Sequence, residues 1–301
     1  MKRKLMAAAC ALTMAITVTS AYADTASTEQ KHAPEVMNLE IETYRNTAVG
    51  GVLTAAEPDG ERVTFTLTTE PVKGTVELQE DGTFTYTPDE NKRGKDYFGY
   101  KATDASGNDS QEATVIIRIR KQKTAVTYAD MAGRPEAYDA VCLAEQGVFT
   151  GTCVSGQYLF EPEASVSRGE FLSMCLAARG EEMLQGVMST GFGDDDAIPV
   201  WAKSSVSTAR MNGMVFGYSD GKRVVFGAQR PITHAEAAVI LDRMLQPEPV
   251  SYTLSDAVPA WAEQAVANLT ASEIYPVDAR SDQALTRAEC ATMLARMARL
   301  G

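Results

Sequence analysis

Three copies of one helix-start signature lie in the C-terminal half of the chain, and they constrain the fold more than any other feature. They read Val-Ser-Arg-Gly-Glu, Ile-Thr-His-Ala-Glu and Leu-Thr-Arg-Ala-Glu, and they end at Glu170, Glu236 and Glu289. Spacings of 66 and 53 residues are typical of a tandem array of one supersecondary unit. The sequence therefore predicts helical repeats rather than one irregular domain.

Each signature predicts a capped α-helix. A hydroxyl residue is followed three positions later by a glutamate, which is the pattern of the capping box, and apolar residues then follow at helical spacing. The predicted capping residues are Ser167, Glu170, Thr233, Glu236, Thr286 and Glu289.

The residue after each cap points to a ligand. Arg168 and Arg287 place a cation in the first helical turn, where the helix dipole disfavours it. A guanidinium beside a helix N-terminus with spare amide donors is suited to an anion, and its fork matches a carboxylate. We therefore predict an anion-binding role, with a salt-bridged surface arginine as the alternative. His234 takes this place in the middle copy, and should bind a carboxylate weakly near pH 7 and better below about pH 6.

Residues 35–122 have a different pattern. Short runs of alternating apolar and polar residues are separated by turn signals every 8–12 residues, which predicts an antiparallel β-sandwich of about seven strands. The segments 70–76, 81–88 and 94–107 closely resemble the cadherin-like (Ig-like, VCBS-type) modules of bacterial surface proteins. The resemblance implies a spacer or adhesive module that sometimes binds calcium. The candidate oxygen ligands are the turn aspartates Asp59, Asp81 and Asp104, although turn aspartates usually cap backbone amides.

The repeats also carry a family resemblance. Asp-x-x-x-x-Trp-Ala, at 196–202 and 256–262, is followed by a glycine-rich segment at 213–221 and then by the signature. This order and spacing resemble the S-layer homology (SLH) repeat over residues 127–300. The resemblance implies an all-α, pseudo-threefold trimer of helical prongs whose grooves bind secondary cell-wall polysaccharide, often pyruvylated. It assigns the pyruvate contact to the signature arginine, supported by the glycine-rich loop and the tryptophan.

The predicted glycan-binding residues are Arg168, Arg287, His234, Trp201, Trp261, Gly217, Asp220 and Gly221. Either tryptophan could instead belong to the core. The repeats also depart from the family pattern. Pro135 stands where the first repeat should have its tryptophan, with Tyr138 as a substitute, and the third repeat lacks seven residues that include the glycine loop. We expect at most two competent grooves.

The N-terminus reads as a secretory signal peptide. A basic start, an apolar stretch too short to span a bilayer and an Ala-x-Ala site ending at Ala23 form the pattern. Cleavage there would change the formal charge from −12 to −15, because three basic and no acidic residues are lost. An acidic chain of this kind argues against nucleic acid as a partner, and an anionic ligand must be held by a few placed cations.

The cysteines, histidines and possible nucleophiles form no pattern in the sequence that indicates a metal site or a catalytic site. Cys142 and Cys153 are a candidate disulfide after export, with free thiols as the alternative, whereas Cys175 and Cys290 lie on apolar helix faces. With His32 and His234 as the only histidines, we expect no Cys/His metal site and no cofactor. A wall-glycan hydrolase is the rival class, but no Gly-x-Ser-x-Gly elbow or Cys–His nucleophile pattern is present.

The sequence therefore predicts a non-enzymatic surface protein of the cell wall, anchored by SLH repeats that display a β-sandwich. Binding to decorated peptidoglycan in a diderm envelope is the alternative anchor, and other surface proteins are candidate partners of the sandwich. No membrane insertion is expected after signal cleavage. The predicted units are a signal peptide (1–23), a linker (24–34), the cadherin-like sandwich (35–122) and three SLH repeats (127–182, 190–247 and 251–301).

Overall fold

The computed structural model describes residues 32–252, 258–276 and 279–300. The predicted signal peptide, most of the predicted linker and Asp256 lie outside the described residues. The described chain forms a β-sandwich followed by a helical region. Within these ranges, no helix combines the length and the apolar character needed to cross a bilayer.

Nine strands build the sandwich. A four-stranded sheet of order β2-β9-β8-β5 packs on a three-stranded sheet of order β3-β7-β6, and β1 pairs with β4. The seven strands of the two larger sheets confirm the predicted sandwich. The prediction of a purely antiparallel fold was wrong at one edge, because β2 and β9 run parallel. The bounds are Glu35–Val36 (β1), Leu39–Tyr44 (β2), Val49–Val52 (β3), Ala55–Ala56 (β4), Val63–Thr69 (β5), Gly74–Leu78 (β6), Thr83–Pro88 (β7), Gly94–Asp104 (β8) and Ala113–Arg120 (β9).

The alternating pattern of the strands places large side chains between the two sheets. Phe84 of β7 meets Phe98 of β8 edge to face, with ring centroids 5.3 Å apart. The carboxylate of Asp96 is buried beside them and accepts hydrogen bonds from two backbone amides of the 71–73 turn and from the Tyr86 hydroxyl, at 2.8–3.0 Å. A buried carboxylate is tolerated when it is hydrogen-bonded in this way, so Asp96 fixes the turn to the sheet.

Six α-helices form the described part of the C-terminal region. Two short hairpins, β10–β11 and β12–β13, lie between α1 and α2 and between α3 and α4. Between α5 and α6 the described residues hold no strand, in agreement with the predicted loss of the glycine loop. The bounds are Ala137–Glu145 (α1), Thr152–Val154 (β10), Gln157–Leu159 (β11), Arg168–Arg179 (α2), Val200–Met211 (α3), Tyr218–Ser219 (β12), Val224–Val225 (β13), His234–Leu245 (α4), Glu263–Ala271 (α5) and Arg287–Leu300 (α6).

Each signature forms the predicted capping box. In α2 and α4 the cap hydroxyl accepts from the glutamate amide while the glutamate carboxylate accepts from the cap amide. In α6 the amide of Thr286 donates to Glu289 at 2.8 Å, and the amide of Glu289 donates to the Thr286 hydroxyl at 3.2 Å. The structural roles of all six capping residues are therefore confirmed.

The three residues that precede the caps close a ring of backbone hydrogen bonds. Val166 donates to the carbonyl of Leu285 at 3.0 Å, Leu285 donates to that of Ile232 at 2.8 Å, and Ile232 donates to that of Val166 at 3.0 Å. All three side chains are buried. The helices pack in the same cyclic order, with α2 on α3, α4 on α5, and α6 on α1. One continuous hydrophobic core joins the three helical units.

The sandwich packs directly on the first helical unit. The amide of Gly50 donates to the carbonyl of Pro135 at 2.9 Å, and the ring of Tyr44 stacks on Tyr138 with centroids 5.5 Å apart. A Cβ atom at Gly50 would lie 2.5 Å from the Cβ of Pro135, so this approach requires glycine.

Candidate functional site

The backbone amides at the start of each signature helix are already hydrogen-bonded. The first two amides of α2, from Arg168 and Gly169, donate to the carbonyls of Arg230 and Ala228 at 2.9 and 2.8 Å. The corresponding carbonyl acceptors are Gln283 and Ser281 for α4, and Ala164 and Pro162 for α6. The prediction of spare amide donors was therefore wrong. These amides join one unit to the next, so an anion at these helix ends must be held by side chains.

The three junctions define three candidate sites, each where a signature helix meets the next unit in the cycle. Site A is formed by Arg168, Gly169, Trp201, Tyr218, Phe226, Arg230 and Glu236. Site B is formed by His234, Tyr275 and Glu289. Site C is formed by Arg287, Phe149, Phe160 and Glu161.

In site A, Arg168 is a buried guanidinium with unused donor capacity. Its Cζ lies 5.1 Å from the centroid of the Phe226 ring, and its Nη1 lies 3.9 Å from Glu236 Oε2, beyond hydrogen-bonding distance. Its Nε is buried and has no hydrogen-bond partner among the described residues. An unsatisfied buried donor of this kind is costly, and a bound acceptor would remove the cost.

The charges around Arg168 leave site A positive. Arg230 makes a bidentate contact with Glu236, and its guanidinium lies over the Tyr218 ring at 4.8 Å. Burial lowers the pKa of Arg168 to about 10, with Glu236 acting in the opposite direction, so the guanidinium stays charged at neutral pH. Burial raises the pKa of Glu236, but the hydrogen bonds from Arg230 and the charge of Arg168 outweigh it, and the net pKa is lowered. Arg243, which stacks on Phe216, adds a further positive charge that acts on Arg168.

The predicted glycine-loop residues shape the β12–β13 hairpin. Gly217 has φ 73°, and a Cβ there would lie 2.5 Å from the carbonyl oxygen of Val225. Gly221 has φ 90° at the turn. The carboxylate of Asp220 accepts from the amides of Lys222 and Arg223 at 2.9 Å. These contacts give the three residues a turn-forming role, and contact with a glycan stays a prediction.

Both tryptophans are exposed, so the core interpretation was wrong. Trp201 is 56% exposed and Trp261 is 60% exposed. The Cη2 of Trp201 would lie 3.4 Å from a Cβ at Gly169, so the glycine of this signature leaves room for the indole at site A. An exposed indole beside a buried cation is available to pack on a ligand.

Site B differs because its basic residue faces the interior. His234 is 1% exposed, its Nδ1 lies 3.1 Å from the carbonyl of Gln283, and its Nε2 lies 3.3 Å from Glu289 Oε1. Nδ1 therefore has a carbonyl partner, whereas Nε2 is buried close to the Glu289 carboxylate and makes no hydrogen bond among the described residues. His234 thus contacts a carboxylate of this chain, and its binding of an external carboxylate stays a prediction.

Site C contains an arginine whose guanidinium is engaged within the chain. Nη1 of Arg287 donates to the Phe160 carbonyl and to Glu161 Oε2, both at 2.7 Å. The guanidinium lies over the Phe149 ring at 5.2 Å from its centroid. Glu161 is half-exposed. Compared with Arg168, Arg287 has less capacity for a ligand.

The remaining predicted residues lie apart from these sites. Tyr138, the expected substitute for the tryptophan, faces the sandwich through Tyr44. Cys142 and Cys153 are free thiols rather than the candidate disulfide. Cys142 is half-buried on α1 against Tyr44 and Tyr138, and burial raises its pKa to about 11. Cys153 is exposed on the β10–β11 hairpin.

The candidate calcium ligands lie in three separate turns. Asp81 accepts from the amide of Thr83 at 2.9 Å, and Asp104 accepts from the amide and side chain of Asn108 at 2.8 Å. Asp59 accepts from the amide of His32 at 2.6 Å. Within the described ranges, no group of histidine, cysteine and acidic residues is arranged to hold a metal ion.

Sequence reasoning missed three residues that decide the character of the sites. Arg230 and Arg243 add positive charge to site A, and Glu161 occupies the arginine of site C. Glu161 could have been found by aligning the repeats, because it lies 66 residues before Gly227, the same offset that relates Phe160 to Phe226.

Comparison with solved structures gives short matches of low similarity. An endo-fucoidan hydrolase of glycoside hydrolase family 107 shares 16% identity, with a TM-score of 0.26, over 32% of this chain and 15% of that chain. A putative alpha-galactosidase from Bacteroides fragilis shares 17% identity over 30% of this chain and 18% of that chain, with a TM-score of 0.25. The SrpA adhesin from Streptococcus sanguinis shares 17% identity over 32% of this chain and 65% of that chain, with a TM-score of 0.24. This chain thus spans less than a fifth of either hydrolase, and no curated protein matches it.

Family models match both parts of the chain. The model of the bacterial cadherin-like domain matches residues 17–121, beginning within the predicted signal peptide and ending one residue before the predicted end of the sandwich. The model of the S-layer homology domain matches residues 191–238, which is the middle repeat, and does not match the other two predicted repeats. The chain therefore combines a bacterial cadherin-like domain with an S-layer homology domain.

Proposed function

We propose that this chain is an exported cell-envelope protein whose helical repeats bind a carboxylated wall glycan non-covalently. The candidate ligand is pyruvylated secondary cell-wall polysaccharide. An S-layer homology domain implies association with the cell wall or envelope, and both domains are non-catalytic surface modules. Residues 1–23 act as the export signal that this location requires.

The observation that carries the proposal is Arg168. Its guanidinium is fixed on the Phe226 ring, carries a charge at neutral pH, and has a buried Nε without a partner among the described residues. Arginine forms bidentate, charge-assisted hydrogen bonds with carboxylates, and a pyruvate ketal supplies one carboxylate on a sugar ring. The exposed indole of Trp201 lies beside it and can pack on that ring.

Local charge is needed because the chain as a whole is acidic. Its formal charge is −12, which repels an anionic polymer at long range. Site A reverses this locally, since Arg168 and Arg230 both act on the carboxylate of Glu236 and Arg243 adds a third positive charge that acts on Arg168. We therefore place the glycan carboxylate at site A.

We further propose that residues 127–182, 190–247 and 251–301 are three S-layer homology repeats in a pseudo-threefold trimer. The backbone ring of Val166, Ile232 and Leu285, and the cyclic packing of the helices, support this arrangement. Sites A, B and C then correspond to the three grooves between prongs. The cadherin-like sandwich, fixed to the first repeat, acts as the displayed spacer or adhesion module.

Sedimentation with purified walls tests the proposal. Full-length mature protein should sediment with walls that carry polysaccharide, and should remain in the supernatant after mild acid has removed the pyruvate ketals. Arg168→Ala should also abolish sedimentation. The matched control is Arg179→Ala, which removes an arginine from the last turn of the same helix.

The alternatives predict different results. Sedimentation with walls stripped of all polysaccharide would favour binding to decorated peptidoglycan. Undiminished sedimentation after ketal removal would reject the carboxylate as the ligand. Unchanged sedimentation of Arg168→Ala would reject site A as the anchor.

A further inference from the structure

Glu161 stands at a position that the second repeat gives to glycine. It lies 66 residues before Gly227, and both residues have left-handed backbones, with φ 56° and 71°. The amide of each donates to an aspartate, Glu161 to Asp130 at 2.7 Å and Gly227 to Asp194 at 2.8 Å. The two positions are therefore structurally equivalent. A non-glycine residue at such a φ is uncommon, so the glutamate is held there against a backbone cost.

The side chain of Glu161 reaches the signature arginine of the third repeat. Its Oε2 lies 2.7 Å from Nη1 of Arg287, which also donates to the Phe160 carbonyl. This contact is a charge-assisted hydrogen bond, the interaction that an external carboxylate would also make with the guanidinium. At site A the equivalent glycine has no side chain to reach Arg168.

We propose that Glu161 is a built-in carboxylate ligand that occupies the anion position of site C, so that the chain binds one carboxylated sugar rather than two. This inference rests on the proposed function of site A.

The competition favours the internal carboxylate. Glu161 is covalently tethered next to Arg287, and short tethers give effective concentrations in the millimolar range. A free ligand that gains only the same carboxylate contact must exceed that concentration to displace it. Half of the Glu161 side chain is exposed. A mutation that removes this side chain therefore frees Arg287 without opening a cavity in the core.

Glu161→Gly imports the residue of the second repeat and is compatible with the left-handed backbone. Isothermal titration of full-length protein with a synthetic methyl hexoside bearing a 4,6-O-pyruvate ketal should give one site in the wild type and two in Glu161→Gly. The matched control is Glu163→Gln, an exposed glutamate of the same loop that pairs with Arg134. It should keep one site.

A double variant gives the sharper result. Arg168→Ala should lose binding of the ketal, and Arg168→Ala with Glu161→Gly should regain one site through Arg287. Two results together would overturn the inference while leaving site A intact: Glu161→Gly binds the ketal at one site, and the double variant regains no ketal binding. Both variants must unfold at the wild-type temperature for this conclusion. A wild type with a second site that Arg287→Ala removes would overturn it as well. A wild type that binds no ketal would reject both this inference and the proposed carboxylate function.

Discussion

Sites A and C begin from the same local sequence and end in different chemical states. Arg168 and Arg287 each follow a capping hydroxyl, each begins a helix, and each lies over a phenylalanine ring. Arg168 has an unpaired Nε, whereas Arg287 contacts both a carbonyl and a carboxylate. The signature therefore places the guanidinium, and the loop of the next unit decides whether it is available.

The residues around the two arginines also make site A the better candidate for a ligand. Site A has an exposed Trp201 and two further arginines, whereas the tryptophan position of site C is Pro135, which packs against Gly50 of the sandwich. The sandwich thus covers part of the unit that carries site C. The tryptophan position of the first repeat thus belongs to a domain contact, whereas Trp201 of the second repeat is exposed.

The largest expected effect separates the two arginines. Arg168→Ala should weaken binding to pyruvylated walls about 100-fold or more, because removing one member of a desolvated charge pair costs about 2–5 kcal/mol. Arg287→Ala should keep wall binding within about twofold of the wild type, since the Glu161 carboxylate already pairs with the guanidinium of Arg287. Quantitative sedimentation measures both. Equal losses in the two variants would mean that sites A and C are equivalent.

The second prediction converts site A into a copy of site C. Gly227→Glu places a carboxylate within reach of Arg168, and its Cβ would lie 2.7 Å from the Tyr218 hydroxyl, which is the movable end of a side chain. Gly227→Gln introduces the same left-handed backbone penalty of about 1–2 kcal/mol without the charge. Wall binding should be about 10-fold weaker for glutamate than for glutamine, because only the carboxylate competes. Equal binding by the two variants would contradict competition.

The third prediction concerns the aromatic residue beside each arginine. Trp201→Ala should weaken wall binding about fivefold, in line with about 1 kcal/mol for an aromatic contact, and should leave thermal unfolding unchanged because the indole is exposed. Tyr138→Ala should leave wall binding unchanged but lower the unfolding temperature, since it removes the stack on Tyr44. The opposite pattern would place the glycan against the first repeat.

The features that the sequence predicts correctly are local ones. A capping box needs only residues three apart, and Ser167 with Glu170 forms it wherever the helix packs. The alternating strands likewise predict the sandwich without knowledge of its neighbours. In keeping with the seven-residue deletion in the third repeat, the described residues between α5 and α6 hold no strand.

The features that escaped prediction depend on contacts between distant segments. The amide of Arg168 meets a carbonyl 62 residues later, so the helix end that looks open in sequence is closed in the fold. The parallel pairing of β2 with β9 joins the two ends of the sandwich. Cys142 faces Tyr44 because the sandwich packs on α1, which no spacing of cysteines reveals.

The smallest expected effect tests the joint next to site C, where α1 meets α6. Asp139 of α1 accepts from Nη2 of Arg299 at 3.2 Å, and burial raises its pKa to about 6 although Arg299 opposes the shift. Since this carboxyl binds its proton more tightly in the folded state, the free energy of unfolding should fall as pH rises from about 4 to about 6. Two pKa units set an upper limit of about 3 kcal/mol.

Asp139→Asn should remove this dependence, so the variant should be more stable than the wild type by about 1–2 kcal/mol at pH 7 and equally stable near pH 4. Denaturant unfolding at the two pH values measures the difference, and Asp282→Asn, an exposed aspartate that pairs with Arg280, is the matched control. If the free energy of unfolding of Asp139→Asn and of the wild type depends on pH in the same way, ionisation of this carboxyl costs no stability at the α1–α6 contact. Wall binding by Asp139→Asn should equal that of the wild type, because α1 and α6 contribute nothing to site A; a loss would show that the two sites are coupled through the helical core.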